Sequence, residues 1–512
     1  MRRVLRNACA GEEEDMLGFR DDHDYDRALG VFQTADYTEV AISKAIGREE
    51  ILRMPASDVP HVLRRTRESS RLNTLIRLYF LGLPVPVEAA RSALAPVPLE
   101  SWVEGELLCP PGSEDQVAPR VQIWPVSGLT LAVDLPWRRS TAPPLDFVVP
   151  PGPVTLELAN AMVRQPCKRM LDLGTGSGML ALLAAPYAES VMATDKNERA
   201  IVFTRFNARL NQIGNVLCRV GDLFEPVAQQ QFQLVLCNPP FVISPTQRYL
   251  FRDSGERGDV FCRRLVRSAV DYLETGGFFQ FTANLAHQVG RSWKSDLEEW
   301  FEGLGCDVLA LVDRTDDVSD YAMTWILSTE SKDATLVSQL YEIWMDYFER
   351  ERIEAVSYLL ITLRRSVGRP TWIQIDDPPY RIAGPCGDEL VRFFESRDLF
   401  AANHVEGLLN SRLRLAPEIR IEQEYTMTPG GLDVCNIRVK KTGGLQYPLS
   451  IHRNVTRLLA GCNGNQTLRQ LLAEMADYLG VDWDRTVAVV LPAVRSLIER
   501  GVLFIVDPSK AH

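Results

Sequence analysis

Residues 168–179 read KRMLDLGTGSGM. A short apolar run ends in three glycines, at 174, 176 and 178, and a helix-forming stretch follows. A strand that breaks into such a turn lets a ligand approach the backbone closely, with amide groups exposed at the helix N-terminus. A dinucleotide fingerprint, G-x-G-x-x-G, would need glycine at position 179, where the chain has Met179. Asp172 sits just before the turn, where it would repel a pyrophosphate and welcome the ammonium of an amino-acid ligand.

Outward from this stretch the chain alternates short apolar segments with helix-length ones. The strands are SVMATD (190–195), NVLCRVGD (215–222), FQLVLCNPP (232–240), GFFQFTAN (277–284), CDVLALV (306–312) and AVSYLLITLRR (355–365). This rhythm predicts an α/β, Rossmann-like sheet of seven strands, parallel except for one, with its ligand site at the strands' carboxyl ends. Chemistry-bearing residues fall at successive strand ends. Asp195 closes the second strand, where a carboxylate can take both hydroxyls of a ribose. Asp222 closes the third and would meet an adenine amino group. The fourth ends on Asn238-Pro239-Pro240-Phe241, a rigid corner at which no ladder can continue, since proline donates no hydrogen bond. Any one of these acidic residues alone is more often a surface charge or helix cap. Their ordered recurrence is what points to a site.

Charge and composition narrow the class. The 512 residues are 46% hydrophobic and 24% charged with a net charge of −11, an ordinary globular balance that disfavours a nucleic-acid partner without excluding a local basic patch. No apolar run approaches the ~18–20 residues that span a bilayer, so no membrane partner is expected. MRRVLRNACAGEEED lacks the apolar core of a signal peptide. Ten scattered cysteines without a CxxC pair suggest free thiols in a reducing cytoplasm, and the six dispersed histidines suggest no metal.

The flanks read as separate modules. Residues 1–26, half acidic over 11–26, read as a solvated tail. Residues 27–140 read as mainly helical and winged-helix-like, with a hairpin turning at the Pro-Gly-Ser of SWVEGELLCPPGSEDQVAPRVQIWP; 141–366 read as the catalytic domain. Residues 367–512 read as an α+β domain that ends in a second winged-helix-like module, in which NGNQT is a turn.

LDLGTGSG, ATD, GDLF and NPPF resemble the motifs of class I S-adenosylmethionine-dependent methyltransferases, in the small-domain branch that includes release-factor glutamine and ribosomal guanine-N2 enzymes. The resemblance covers about residues 145–365. It extends to bacterial methyltransferases with an N-terminal helical extension through Phe251-Arg252-Asp253-Ser254-Gly255 and Gly258-Asp259…Arg263-Arg264. It implies S-adenosylmethionine as cofactor, without a metal, held by Asp172, Gly174, Thr175, Gly176, Gly178, Asp195, Lys196, Asp222, Leu223 and Asn238. It also implies that the Asn238 side-chain carbonyl and the Pro239 backbone carbonyl accept hydrogen bonds from the acceptor's NH group. Pro240 would stiffen the corner and Phe241 would stack on a planar acceptor. Phe241 stands where release-factor enzymes have tyrosine, and Val242 where the ribosomal guanine enzymes commonly have histidine. FVVPPGPVTLELA (147–159) would cover the cofactor's amino-acid end, with Thr155 reaching its carboxylate.

QRYLFRDSGERGD (247–259) reads as a polar loop able to close over substrate, with Arg248, Arg252 and Arg257 as anion binders and Tyr249 and Trp137 as further candidates. The expected activity is N-methylation of a planar amide or amino nitrogen, on a small molecule or a protein or RNA group. O-methylation of a small molecule, anionic or not, and a cofactor-sensing DNA-binding regulator are the alternatives. The regulator is disfavoured because its candidate recognition helix, QTLRQLLAEMADYLG, has one arginine against two acids.

Overall fold

The computed structural model describes residues 17–506, apart from 50, 52–53, 55, 136–143, 247, 378–379, 402–404, 418 and 448. It divides into two compact units. One comprises the chain up to Leu158 together with Pro166–Asp376; the other comprises Ala159–Gln165 and the chain from Asp377 onward.

The first unit is built on a mixed sheet of eight strands: β1 (Cys167–Leu173), β2 (Ala188–Asp195), β3 (Val216–Val220), β4 (Phe232–Cys237), β5 (Leu273–Gln288), β6 (Cys306–Asp317), β7 (Ile353–Arg365) and β8 (Ile373–Asp376). Their order across the sheet is β8-β6-β7-β5-β4-β1-β2-β3. Only β7 runs against its neighbours, β5 and β6. The seven expected strands are present, and β8 adds an eighth beside β6, so the sheet continues past the expected boundary at 366. Its central strands are near-continuous apolar runs because both faces are covered. The core on one face runs from Leu171 and Val235 through Phe279 and Phe281 to Trp300.

The flank at the N-terminus is not a free tail from Leu17 on. Asp21 caps the helix Asp22–Thr34 by accepting from the His23 N–H, and Asp24 pairs with Arg27 at 3.0 Å. Phe19 meets Trp102 edge-on at 5.1 Å, and Tyr25 packs against Phe206 of the helix Glu198–Leu210 at 5.6 Å. Acidic density there marks helix-start chemistry, while the aromatic residues between the acids enter the core. The principal hairpin lies later than expected, pairing Val121–Val126 with Leu129–Asp134. Its loop is Ser127-Gly128 with φ of 50° and 82°, the paired positive values a two-residue hairpin turn requires.

Between β6 and β7 the chain inserts a helix, Val318–Trp325, a wider π-helical turn, Ile326–Glu330, and a long helix, Ala334–Glu351. Tyr321, Trp344 and Phe348 of this insertion bury themselves with Val242 and Ile243, the residues just after the Asn-Pro-Pro-Phe corner.

In the second unit, Asn463–Thr467, Arg412–Leu415 and Leu503–Ile505 form an antiparallel sheet, so NGNQT is a strand. Helices Arg453–Gly461, Leu468–Leu479 and Trp483–Glu499 bury Leu458, Leu472 and Val494 in a common core. A long hairpin, Ile419–Thr428 with Gly431–Lys441, exposes Tyr425, Met427, Leu432 and Val434. Among the described residues no helix is long and apolar enough to cross a membrane.

Candidate active site

A cleft with about 1140 Å³ of empty volume opens at the carboxyl ends of β1, β2 and β4. Its floor is the turn after β1. Gly174 and Gly176 have φ of 74° and 57°, and a Cβ built on either meets nothing within 4 Å. The space a side chain would fill is therefore open to a ligand. The turn is held from beneath: the amides of Gly174 and Thr175 both donate to the Thr194 carbonyl, at 2.8 and 2.9 Å. Thr204 Oγ1 donates to the Gly176 carbonyl at 3.0 Å, and Asn207 Nδ2 to that of Ser177 at 2.8 Å. Gly178 has another task. Its Cβ would stand 2.9 Å from Thr204 Cγ2, so the glycine lets the helix Glu198–Leu210 close on the turn.

Asp195 forms part of the wall. Its carboxylate accepts from the Gly176 and Asn197 amides, both at 2.9 Å, and burial raises its pKa against those two bonds. Lys196 and Asp222 also line the cleft, as does Leu223 with φ of 46°. A bulky residue in the left-handed region costs about 1–3 kcal/mol and is typical of functional sites.

Asp172 is fully buried beneath the turn rather than facing the cleft. Its Oδ2 accepts from Thr175 Oγ1 at 2.7 Å and the Ala181 amide at 3.0 Å, while Oδ1 has no partner. Burial pushes its carboxyl up to about 7.

Asn238 follows the last residue of β4 at the edge of the cleft, with Pro239 and Pro240 alongside. Its Nδ2 donates to Thr155 Oγ1 at 3.0 Å, and its Oδ1 accepts from Thr282 Oγ1 at 2.7 Å. Thr155 therefore touches the corner itself. Phe241 does not line the cleft; it is half-buried between the two hydrophobic clusters on either side of the corner. The aromatic walls are Phe147, Phe251 and Phe261. Phe147 is set by Asp134, which accepts from the neighbouring Val148 amide at 2.8 Å and pairs with Arg199.

The three arginines proposed for an anion stand elsewhere, and none lines the cleft. Arg252 is buried; it donates to Asp253 at 2.7 Å, Thr329 at 2.6 Å, Thr246 at 3.0 Å and Glu330 at 3.1 Å. It serves as a brace. Arg248 is exposed beside the Tyr249 ring, and Arg257 is 83% exposed near Glu351. Hydrogen bonds from the Arg248 and Tyr249 amides to Asp253 brace the same loop. Tyr249 is buried against Phe251, at 5.5 Å between ring centroids, and Trp137 lies outside the described residues.

Thr282 and Phe261 were not singled out from sequence. In the register of β4 against β5, Cys237 pairs with Phe281, which brings the next residues, Asn238 and Thr282, together. That register is a long-range relationship with no local signal in the sequence.

An open glycine cradle and an acidic strand end at Asp195 suit a ligand that carries a ribose. S-adenosylmethionine fits that description.

Comparison with known proteins agrees with this geometry. Residues 154–305 match the family model described as methyltransferase small domain. Two domains of unknown function, DUF7059 and DUF7782, match residues 34–120 and 391–505. The release factor glutamine methyltransferase of Thermodesulfovibrio yellowstonii is 35% identical over 122 residues, covering 21% of this chain and 44% of that protein. The enzyme of the same name from Geobacter sulfurreducens is 33% identical over 155 residues, covering 26% and 54%. The chain thus spans about half the length of these relatives. Among solved structures, Trm5b from Pyrococcus abyssi is 18% identical with a TM-score of 0.30, covering 48% of this chain and 56% of that one. Residues 154–305, on the Rossmann-like sheet that carries them, thus form a methyltransferase small domain of the class I, S-adenosylmethionine-dependent type.

Proposed function

We propose that this protein is an N-methyltransferase acting on a planar amide nitrogen, with a protein glutamine carboxamide as the first acceptor to test. The observation that carries the reading is Asn238 on a proline-stiffened strand end, beside the cleft formed by Gly174, Gly176 and Asp195. Bound S-adenosylmethionine supplies an electrophilic methyl group. An amide nitrogen is a poor nucleophile because its lone pair is delocalised. Two fixed acceptors, Asn238 Oδ1 and the Pro239 carbonyl, would favour a pyramidal nitrogen and stabilise the positive charge developing on it. Rigidity of the corner supplies positioning. The similarity to release factor glutamine methyltransferases supports a protein as acceptor.

The test is calorimetric titration of S-adenosylmethionine and S-adenosylhomocysteine into the protein and its Asp195→Ala variant. Labelled methyl transfer to a purified release factor follows. Micromolar binding lost in the variant, with label recovered on a glutamine, is the expected result. Absence of binding to the native chain would refute the assignment; binding with label on an oxygen would redirect it.

A further inference from the structure

We infer that Thr155 and Thr282 are positioning residues that lock the Asn238 carboxamide with one Oδ1 lone pair kept for the acceptor nitrogen, an inference that rests on the reading above. A carboxamide turns about a broad, roughly two-fold terminal torsion, so an unbraced asparagine would present oxygen and nitrogen alternately. A methyl acceptor needs the oxygen.

The two hydroxyls come from different elements. Thr282 lies on β5, only 3% exposed, and donates to Oδ1 at 2.7 Å. An amide oxygen has two lone pairs, so the second is left over. Thr155 lies in the first turn of the helix Pro153–Ala161, accepts from Nδ2 at 3.0 Å and itself lines the cleft. A bond accepted from Nδ2 polarises the amide and strengthens its oxygen as an acceptor. Thr155 follows Val149, Pro150 and Pro151, which are also cleft walls. The segment against the cofactor space thus reaches the group that would receive the acceptor.

Merely satisfying a buried amide would predict lost stability when either hydroxyl is removed. Positioning predicts more: a freed carboxamide, and a defect in turnover rather than in cofactor affinity.

The experiment uses the full chain with ¹⁵N-labelled asparagine, saturated with S-adenosylhomocysteine. The Asn238 side-chain NH₂ signals are identified by their loss in Asn238→Asp. In the native protein these hydrogens should exchange slowly with solvent. In Thr282→Val and Thr155→Val, protection should fall about tenfold or more, the equivalent of one lost buried hydrogen bond, and Thr282→Ser should restore it. With a release factor as acceptor, kcat should fall in the valine variants while calorimetric affinity for S-adenosylhomocysteine stays within about threefold. Native-like protection in both valine variants would overturn the inference whatever the activity. Failure of the native chain to bind S-adenosylhomocysteine would instead overturn the methyltransferase reading.

Discussion

The guanidinium of Arg252, with no exposed side-chain surface, lies 3.1 Å from the carboxylate of Glu330, 78 positions further along the chain. Trp344 Nε1 donates to the same Glu330 oxygen at 3.2 Å, and Ser244 and the Arg248 and Tyr249 amides donate to Asp253. The segment after the Asn-Pro-Pro-Phe corner is thereby fastened to the insertion between β6 and β7. Replacing Arg252 with alanine would leave Asp253 and Glu330 buried without their cation. A loss of about 3–5 kcal/mol is expected, read as a fall in the chemical-denaturation midpoint. Double replacement, Arg252→Met with Glu330→Gln, should recover part of it, because one of the two stranded charges is removed with its partner. Losses that simply add would refute the coupling.

The glycines of the turn should separate by phenotype. Gly176→Ala and Gly178→Ala carry the same left-handed strain, about 1–2 kcal/mol. The Gly178 methyl group also meets Thr204 at 2.9 Å, whereas that of Gly176 projects into open cleft. Gly178→Ala should therefore lower the melting temperature more. Gly176→Ala should remain folded and lose affinity for S-adenosylhomocysteine. Equal melting temperatures and equal affinities in the two variants would contradict this division.

Stability should depend on pH through Asp172. Its carboxyl is raised by burial to about 7, so between about pH 4 and 7 the folded chain binds a proton that the unfolded chain releases. That contribution is complete below the unfolded pKa and is lost as pH rises through 7. Glu157, also raised to about 7, and Asp259, raised to about 6, act in the same direction for the same reason. Melting curves of Asp172→Asn against the native chain should show the variant gaining relative stability from pH 5 to 8. A constant difference across that range would argue against the assignment.

Asn238→Ala should lose turnover at saturating cofactor by about 10²–10³-fold, the size seen when one preorganised polar group is taken from a reacting centre. Single-turnover methyl transfer with saturating cofactor measures it. An Asn238→Ala enzyme within a few-fold of native would remove the corner from the chemistry.

Much of the fold was legible because strand, glycine turn and strand-end acid are local signals. KRMLDLG, ATD, GDLF and NPPF each sit where a parallel strand must stop, although the order across the sheet, with β1 between β4 and β2, differs from the order along the chain. Other features depended on partners far away in sequence. Nothing near Arg252 announces that Glu330 and Trp344 will bury it, so a polar, glycine-punctuated stretch reads as a loose loop. Asp172 looks ligand-facing until the helix Met179–Ala184 is placed over it and the Ala181 amide claims one oxygen. The acidic stretch at 21–26 hides two aromatic anchors, Phe19 and Tyr25, within and beside its charges. Thr282 becomes visible only when the register of β5 against β4 is known.

The insertion Val318–Glu351 leaves and re-enters the sheet between two strands that pair directly with each other. An excursion of that kind can be lengthened, shortened or exchanged without altering the connectivity of the remaining strands. The Asp195 and Asp222 strand ends lie on the other half of the sheet, outside the reach of such a swap. Such a cassette can be exchanged as a unit, provided Thr329, Glu330 and Trp344 travel with it to keep Arg252 satisfied.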